Sequence, residues 1–588
     1  MLAFSHQEHI ESYYSVTRNQ HFELPPLNQK ESADVCIVGA GFFGLSTALE
    51  LAEQGKSVIV LEGARVGFGA SGRSGGQAIN GFEDGIDEYI EQVGLETARK
   101  LWQMSLEAID IIDERIAKYG IQCDWKKGYA TLALNERRME DLIAAEKASH
   151  EIFGYQNMQL WDKAKLEQHL GSKIYCGALY DSNSGHLHPL NYCLGLAKAC
   201  LDLGVRIYEQ SPVVDLREKA TDIEVITDKS LVVAKDVVLA TNAYIDVLPK
   251  SIHRGIARKI LPVESFIIAT EPLDQATADS VINNGMSVCD NNYLLDYYRL
   301  SADNRLLFGS DSSSEKNMIE VMRHNMLHVF PQLEHVKIDY GWGGPIDMTI
   351  NSNPHFGRIS PHIYFAHGYS GHGVALTGLA GRVVAEAILG NDERLAIFSK
   401  LKVPSVFGGS FFIGLLFCDC ACALQHIAVV ELQKLVQFLL PVVQKDLFLA
   451  LHLVFGKIQP HGNDAVQLAD FVLVQIIFCR FDVGFAYHAC SGGVGQAHQG
   501  LRCVGAAVNQ LGDGVSGAGK VQFVLYDFEE LGGFFVVGLV IRRQRENLAH
   551  AQVDPFFAGA DVTDALQQFF KVVRGSDGAD RRIFQAFV

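Results

Sequence analysis

The chain has 588 residues, 48% of them hydrophobic and 20% charged, which suits two to four folded domains and excludes wholesale disorder. Fifty basic residues stand against 68 acidic ones, a formal net charge of −18. A protein that grips polyanions shows the opposite balance, so nucleic acid is not an expected partner.

Residues 1–32 carry mixed polar groups and a Pro25-Pro26 pair, and read as an N-terminal arm. The opening MLAFSHQEHIESYY lacks the apolar run of a signal peptide. The twelve cysteines lack the spacing of a disulfide framework, as expected in a reducing compartment. The expectation is a cytoplasmic protein. Val35-Cys36-Ile37-Val38 predicts a buried strand, followed by Gly39-Ala40-Gly41-Phe42-Phe43-Gly44 and a helix with apolar Leu45, Ala48, Leu49 and Leu51. Gly55 ends that helix, and Val58–Leu61 predicts a second strand ending at Glu62. This is a β-α-β unit. Residues 95–170 read as helices around one strand at Tyr129–Leu134, strands return between Val205 and Asn242, and residues 260–310 look antiparallel. A last strand at Ile363–Ala366 leads through Gly368–Gly373 into a helix from about Val374 to Leu389.

The chemistry starts at the glycines. Between a strand and a helix, Gly39 permits the tight turn, Gly41 admits a pyrophosphate, and Gly44 lets helix pack on strand. The helix N-terminus offers unpaired N–H groups to phosphates. Glu62 would accept hydrogen bonds from an adenosine ribose. A second small-residue cluster, Gly67–Gln77, contains Ser71, Arg73 and Gln77 and suits closure around a pyrophosphate. The third, Gly368–Gly373, could aim a helix N-terminus at the electron-rich edge of a reduced flavin, beside His372. His186 and His188 have i, i+2 spacing but no further ligands nearby, so no metal is expected.

These stretches resemble the glycine/D-amino-acid oxidase (DAO) family of FAD-dependent amine and amino-acid oxidases. Ser12-Tyr13-Tyr14, Gly67–Arg73, Gly185–Asn191, Asn292–Leu300 and Gly368–Gly373 carry the likeness, which runs from about residue 10 to Pro404. It implies an α/β fold: a Rossmann-like FAD-binding domain (about 33–90, 175–250 and 335–405) interleaved with an antiparallel-sheet substrate domain (about 91–174 and 251–334). FAD contacts fall on Gly39, Gly41, Gly44, Glu62, Ser71, Arg73 and Gln77, on Val213 for adenine, and on Gly371, His372 and Gly373. Trp342–Met348, where some relatives attach flavin through a cysteine, contains none, so FAD is expected to be non-covalent.

The resemblance also implies oxidation of a small-molecule amine by dioxygen. The substrate expected is γ-glutamylputrescine, converted in putrescine breakdown to an aldehyde, ammonia and hydrogen peroxide. His372 and Tyr298 are candidates beside flavin and substrate, Tyr297, Tyr298 and Arg299 for substrate recognition, and Arg299 or Arg254 for the distal carboxylate. No obligatory base is assigned. An oxidase or dehydrogenase of another N-substituted or D-amino acid stays open, as does a flavin-binding protein without turnover; oligomeric state is not fixed.

The likeness stops at Val403-Pro404-Ser405. Residues 406–588 hold 29 charged residues, against 89 in the first 405, and sustain no regular period. A frameshift or read-through, with poor order, is expected there. Asp419, Glu431, Lys434, Lys445 and Asp446 cut its apolar stretches short of a membrane span.

Overall fold

The structure is a computed structural model. It describes residues 6–83, 85–253, 255–292, 295–310 and 317–405, with strands at 474–478, 522–527 and 535–540. The chain divides into two units, 1–419 and 420–588.

In the first unit, two sheets carry the architecture. The first, of eight strands, has Glu31–Val38 at its centre, paired in parallel with Val58–Leu61 on one side and Leu231–Leu239 on the other. Arg206–Tyr208 and Ile363–His367 extend it, again in parallel. A strand buried on both faces needs a continuous apolar run, and Val35, Cys36 and Ile37 have no exposed surface. The helix Phe42–Glu53 crosses between the first two of these strands and packs on Gly373–Ile388 and Pro189–Asp202. The crossing is close: a Cβ on Gly381 would lie 2.5 Å from Ser46 Cβ. Leu45 and Leu49 are buried on this helix, each contributing about 1.5–3 kcal/mol of apolar burial.

The second sheet has nine strands. Leu261–Thr270 pairs antiparallel with both Ile338–Met348 and Leu306–Ser310, and Asp296–Leu300 follows antiparallel on Leu306–Ser310. Gly177–His186 and Ile338–Met348 belong to this sheet, although the sequence reading groups their segments with the FAD-binding parts. Each pairs with a strand that lies far away in sequence, Gly177–His186 with Lys126–Ala133 and Ile338–Met348 with Leu261–Thr270, which local pattern does not reveal.

The N-terminal arm also departs from a simple extended leader. Ser12 caps a short helix, Tyr13–Val16, through a reciprocal hydrogen-bond pair with Ser15, and Tyr14 is wholly buried. Among the described residues, no helix is long and apolar enough to cross a membrane. In the second unit, Val474–Phe478 and Gln522–Asp527 each pair antiparallel with Phe535–Val540. The expectation of poor order over 406–588 otherwise lies outside the described residues.

Candidate active site

The site grows from the end of the central strand. Gly39 has φ +110°, and a Cβ there would sit 2.5 Å from the carbonyl oxygen of Ala240, so only glycine fits. A Cβ on Gly44 would lie 2.0 Å from the Gly39 oxygen, which locks helix to turn. Gly41 caps the helix with extended backbone, and its missing Cβ leaves room beside the Ser71 hydroxyl. Ser71 Oγ accepts the N–H of Phe42 at 2.9 Å, satisfying one of the orphan donors of the helix start. Glu62 accepts from Ala40 N at 2.8 Å and Ala64 N at 2.9 Å, while burial raises the pKa of its carboxyl.

Two cavities adjoin at Ala70. The smaller, about 130 Å³, is lined by Gly39, Gly41, Glu62, Ser71, Val213 and Thr241, among others. The larger, about 720 Å³, is lined by Arg73, Gln77, Tyr297, Gly371 and His372, with Glu83 opposite. Ala70 lines both. Gly373 opens the helix Gly373–Ile388 directly behind His372, and that helix start faces the larger cavity through Gly371, His372 and Val374.

Several polar atoms in these walls are buried without a hydrogen-bond partner among the described residues. They include Arg73 Nη2 and Ser74 Oγ in the larger cavity, and Thr241 Oγ1 and Asn242 Oδ1 in the smaller. Buried polar groups are rarely left so, and a polar ligand spanning both cavities would satisfy them. Asn242 and Ser370 also hold left-handed backbone at φ +47° and +48°. Such strain in non-glycine residues collects at functional sites.

The Asp296–Leu300 strand sorts its side chains by face. Tyr297 lines the larger cavity, its hydroxyl 3.0 Å from Ser265 Oγ, and its ring fills the space left by Gly75 and Gly309. Tyr298 points the other way, 1% exposed, stacked on Phe308 at 5.5 Å and edge-on to Phe330. The expected flavin- or substrate-side role is therefore not met at Tyr298, because successive strand residues face opposite sides. Arg299 does not line the cavity either. Its Nε donates to Gly75 O at 2.7 Å, and its Nη2 to Leu187 O at 2.9 Å and to the Tyr14 hydroxyl at 3.1 Å. With its fork committed to these groups, it is not placed to hold a substrate carboxylate. Arg254 lies outside the described residues.

His372 Nδ1 lies 3.2 Å from Glu83 Oε2. Gln77 Nε2 donates to Val288 O at 2.9 Å, tying the cavity floor to the antiparallel sheet. His186 and His188 are buried and pulled down to about 3, by burial first and then by Arg299. Their partners are Gly285 O for His186, and Thr17 Oγ1 and Asn191 N for His188.

Sequence similarity decides the family. The family described as FAD-dependent oxidoreductase (DAO) matches residues 34–387. The chain belongs to the DAO family. The Haemophilus influenzae protein described as probable oxidoreductase OrdL is 81% identical over 409 residues, 70% of this chain and 95% of its own. The gamma-glutamylputrescine oxidoreductase of Escherichia coli is 42% identical over 406 residues, 68% of this chain and 94% of that protein. In structure, the glycine oxidase of Geobacillus kaustophilus superposes with a TM-score of 0.51 at 23% identity, covering 61% of this chain and 95% of that one. That last likeness concerns the fold.

A DAO-family protein is an FAD-dependent enzyme, and the residues present fit FAD: a glycine cradle, the Glu62 carboxylate beside it and unpartnered polar atoms along two cavities that share Ala70. Sequence reasoning missed Ser74, Glu83, Thr241, Asn242 and Asp347. Asp347 is fully buried at the end of the Ile338–Met348 strand and accepts the backbone N–H groups of Gly368 and Tyr369. It thereby anchors the loop that carries Gly371 and His372. The acid in Trp342–Met348 was in view, but its partner loop lies about twenty residues on.

Proposed function

We propose that the protein is an FAD-dependent oxidase of a primary or secondary amine, and that γ-glutamylputrescine is its substrate. The observation that carries this reading is the 42% identity to gamma-glutamylputrescine oxidoreductase across 94% of that enzyme. The net reaction takes amine, dioxygen and water to the γ-glutamyl aminoaldehyde, ammonia and hydrogen peroxide. It would place the protein in cytoplasmic putrescine breakdown. Bound FAD supplies the two-electron acceptor and the site of reoxidation by dioxygen.

The chain's own residues bind and orient. Gly39, Gly41 and Gly44, with the N–H groups of the helix start, would receive the pyrophosphate, helped by Ser71. Glu62 would take the ribose hydroxyls, and the backbone at Val213 would meet adenine. Arg73, Gln77, Gly371, His372 and the helix start at Gly373 would hold the flavin ring in the larger cavity. Tyr297 and the Glu83–His372 pair face the remaining space, where an amine would lie with water excluded by the aromatic ring. With no cysteine in Trp342–Met348, the FAD is dissociable; acid precipitation should release the yellow colour into the supernatant.

A peroxide assay across a substrate panel tests the reading. γ-Glutamylputrescine should give the highest kcat/KM, above putrescine, glycine, sarcosine and D-alanine. A higher value for glycine or a D-amino acid would overturn it.

A further inference from the structure

Arg299 is 4% exposed, and every partner of its guanidinium is neutral: the carbonyl oxygens of Gly75, Leu187 and Leu300 at 2.7, 2.9 and 3.5 Å and the Tyr14 hydroxyl at 3.1 Å. Among the described residues, its guanidinium donates no hydrogen bond to a carboxylate. The acid of this region, Asp303, is committed to Arg305 at 2.8 Å and to the Tyr13 hydroxyl at 2.7 Å. Of the titratable groups that feel its charge, His186 and His188 are held neutral and burial pushes the Tyr13 and Tyr14 hydroxyls up, so none of them balances it. A buried cation without a counter-ion is costly and is seldom retained without a use.

Its position suggests the use. Nε of Arg299 grips the carbonyl of Gly75, and a Cβ on Gly76 would lie 3.1 Å from Nη2. Gly75, Gly76 and Gln77 form part of the wall of the larger cavity, so the charge stands one layer of backbone behind that wall. The arm seals it from water. Tyr14 is wholly buried, its ring 5.2 Å from Trp342 and 4.9 Å from His188. A charge screened only by protein acts over a longer range than one in water.

We infer that Arg299 is a positioning residue that, through the Gly75–Gly76 backbone, sets the reduction potential of the bound flavin by supplying a fixed positive charge behind the cavity wall. Two electrons and one proton convert oxidised flavin to a reduced form with one net negative charge on its ring. A buried cation nearby favours that form over the neutral oxidised one. The inference rests on the flavin ring occupying the larger cavity, but not on the identity of the substrate.

The test is the midpoint potential of the FAD-loaded full chain, read from its visible spectrum during slow anaerobic reduction beside a reference dye. Arg299→Met should lower the potential by at least about 30 mV, which is a tenfold shift in the reduced-to-oxidised ratio for a two-electron couple. Arg299→Lys keeps the charge while breaking the fork, and should lose less than half as much. A yellow Arg299→Met protein with the wild-type potential would overturn the inference, as would a lysine variant that falls as far as the methionine one. Should Arg299→Met fail to fold, the wild-type protein still decides: its potential must lie above that of free FAD, and a value at or below it refutes the role. A wild-type protein with the expected potential but no turnover of γ-glutamylputrescine would instead count against the proposed substrate.

Discussion

The Glu62 carboxylate and the backbone N–H of Ala40 meet at 2.8 Å, clipping the end of the second strand to the glycine turn that follows the first. The same side chain lines the smaller cavity, so it both shapes the turn and faces the proposed ribose position.

Glu62→Ala should therefore weaken FAD affinity by about 1–3 kcal/mol, from several-fold to about a hundredfold in Kd, as expected for lost charge-assisted hydrogen bonds. Titration of the apoprotein with FAD, followed by quenching of flavin fluorescence, measures this. Because Glu62 lies in the smaller cavity, away from Tyr297 and His372, saturating FAD should restore most of the turnover.

Adjacent tyrosines separate recognition from stability. Tyr298→Ala opens a hole between Phe308 and Phe330 and should cost about 3–5 kcal/mol of folding stability, seen as a large fall in Tm. Tyr297→Phe removes only the hydroxyl beside Ser265; it should leave Tm nearly unchanged and shift KM or kcat for the amine. Equal loss of stability in both variants would contradict the facing of this strand.

That pair also marks how far the sequence could be read. The β-α-β unit was legible because its signals are local: an apolar run, a glycine triplet, helical spacing and an acid at the next strand end. The helix at 373–388 and the strand at 363–367 were legible for the same reason. In Asp296-Tyr297-Tyr298-Arg299, by contrast, alternation fixes that neighbours face opposite sides but not which side meets the cavity. That depends on pairing with Leu306–Ser310 and on the glycines at 75 and 309 that admit the Tyr297 ring. The burial of Tyr14 against Trp342 and the link from Asp347 to Gly368 are likewise long-range contacts without a local signature.

Burial raises the Asp347 carboxyl to about 7, partly offset by the N–H groups of Gly368 and Tyr369. The fold thus favours its protonated form. The stability this contributes is complete below the ordinary carboxylate range near pH 4 and is lost as pH rises through about 7. Asp347→Asn keeps the shape without the titration. Its Tm should fall less than that of the wild type between pH 5 and pH 8; parallel curves would show that Asp347 does not titrate in this window.

Val403 O accepts a hydrogen bond from Lys259 Nζ at 2.7 Å, and Lys402 O accepts from Asn351 and Asn353. The oxidoreductase unit thus uses the chain through residue 403, while the Haemophilus relative is matched over 95% of its length by 409 residues. A chain ending at Ser405 should retain FAD and at least half of the full-length turnover. Loss of bound flavin on that truncation, read as the absorbance ratio at 450 and 280 nm, would assign residues 406–588 a part in the enzyme.

The most direct test of the central claim is anaerobic mixing of the FAD-loaded protein with γ-glutamylputrescine, followed at 450 nm. Rapid, saturable bleaching to a level set by one equivalent of amine per flavin is expected, with colour returning and peroxide appearing when oxygen is admitted. A flavin that stays yellow with γ-glutamylputrescine but bleaches with glycine or a D-amino acid would contradict it.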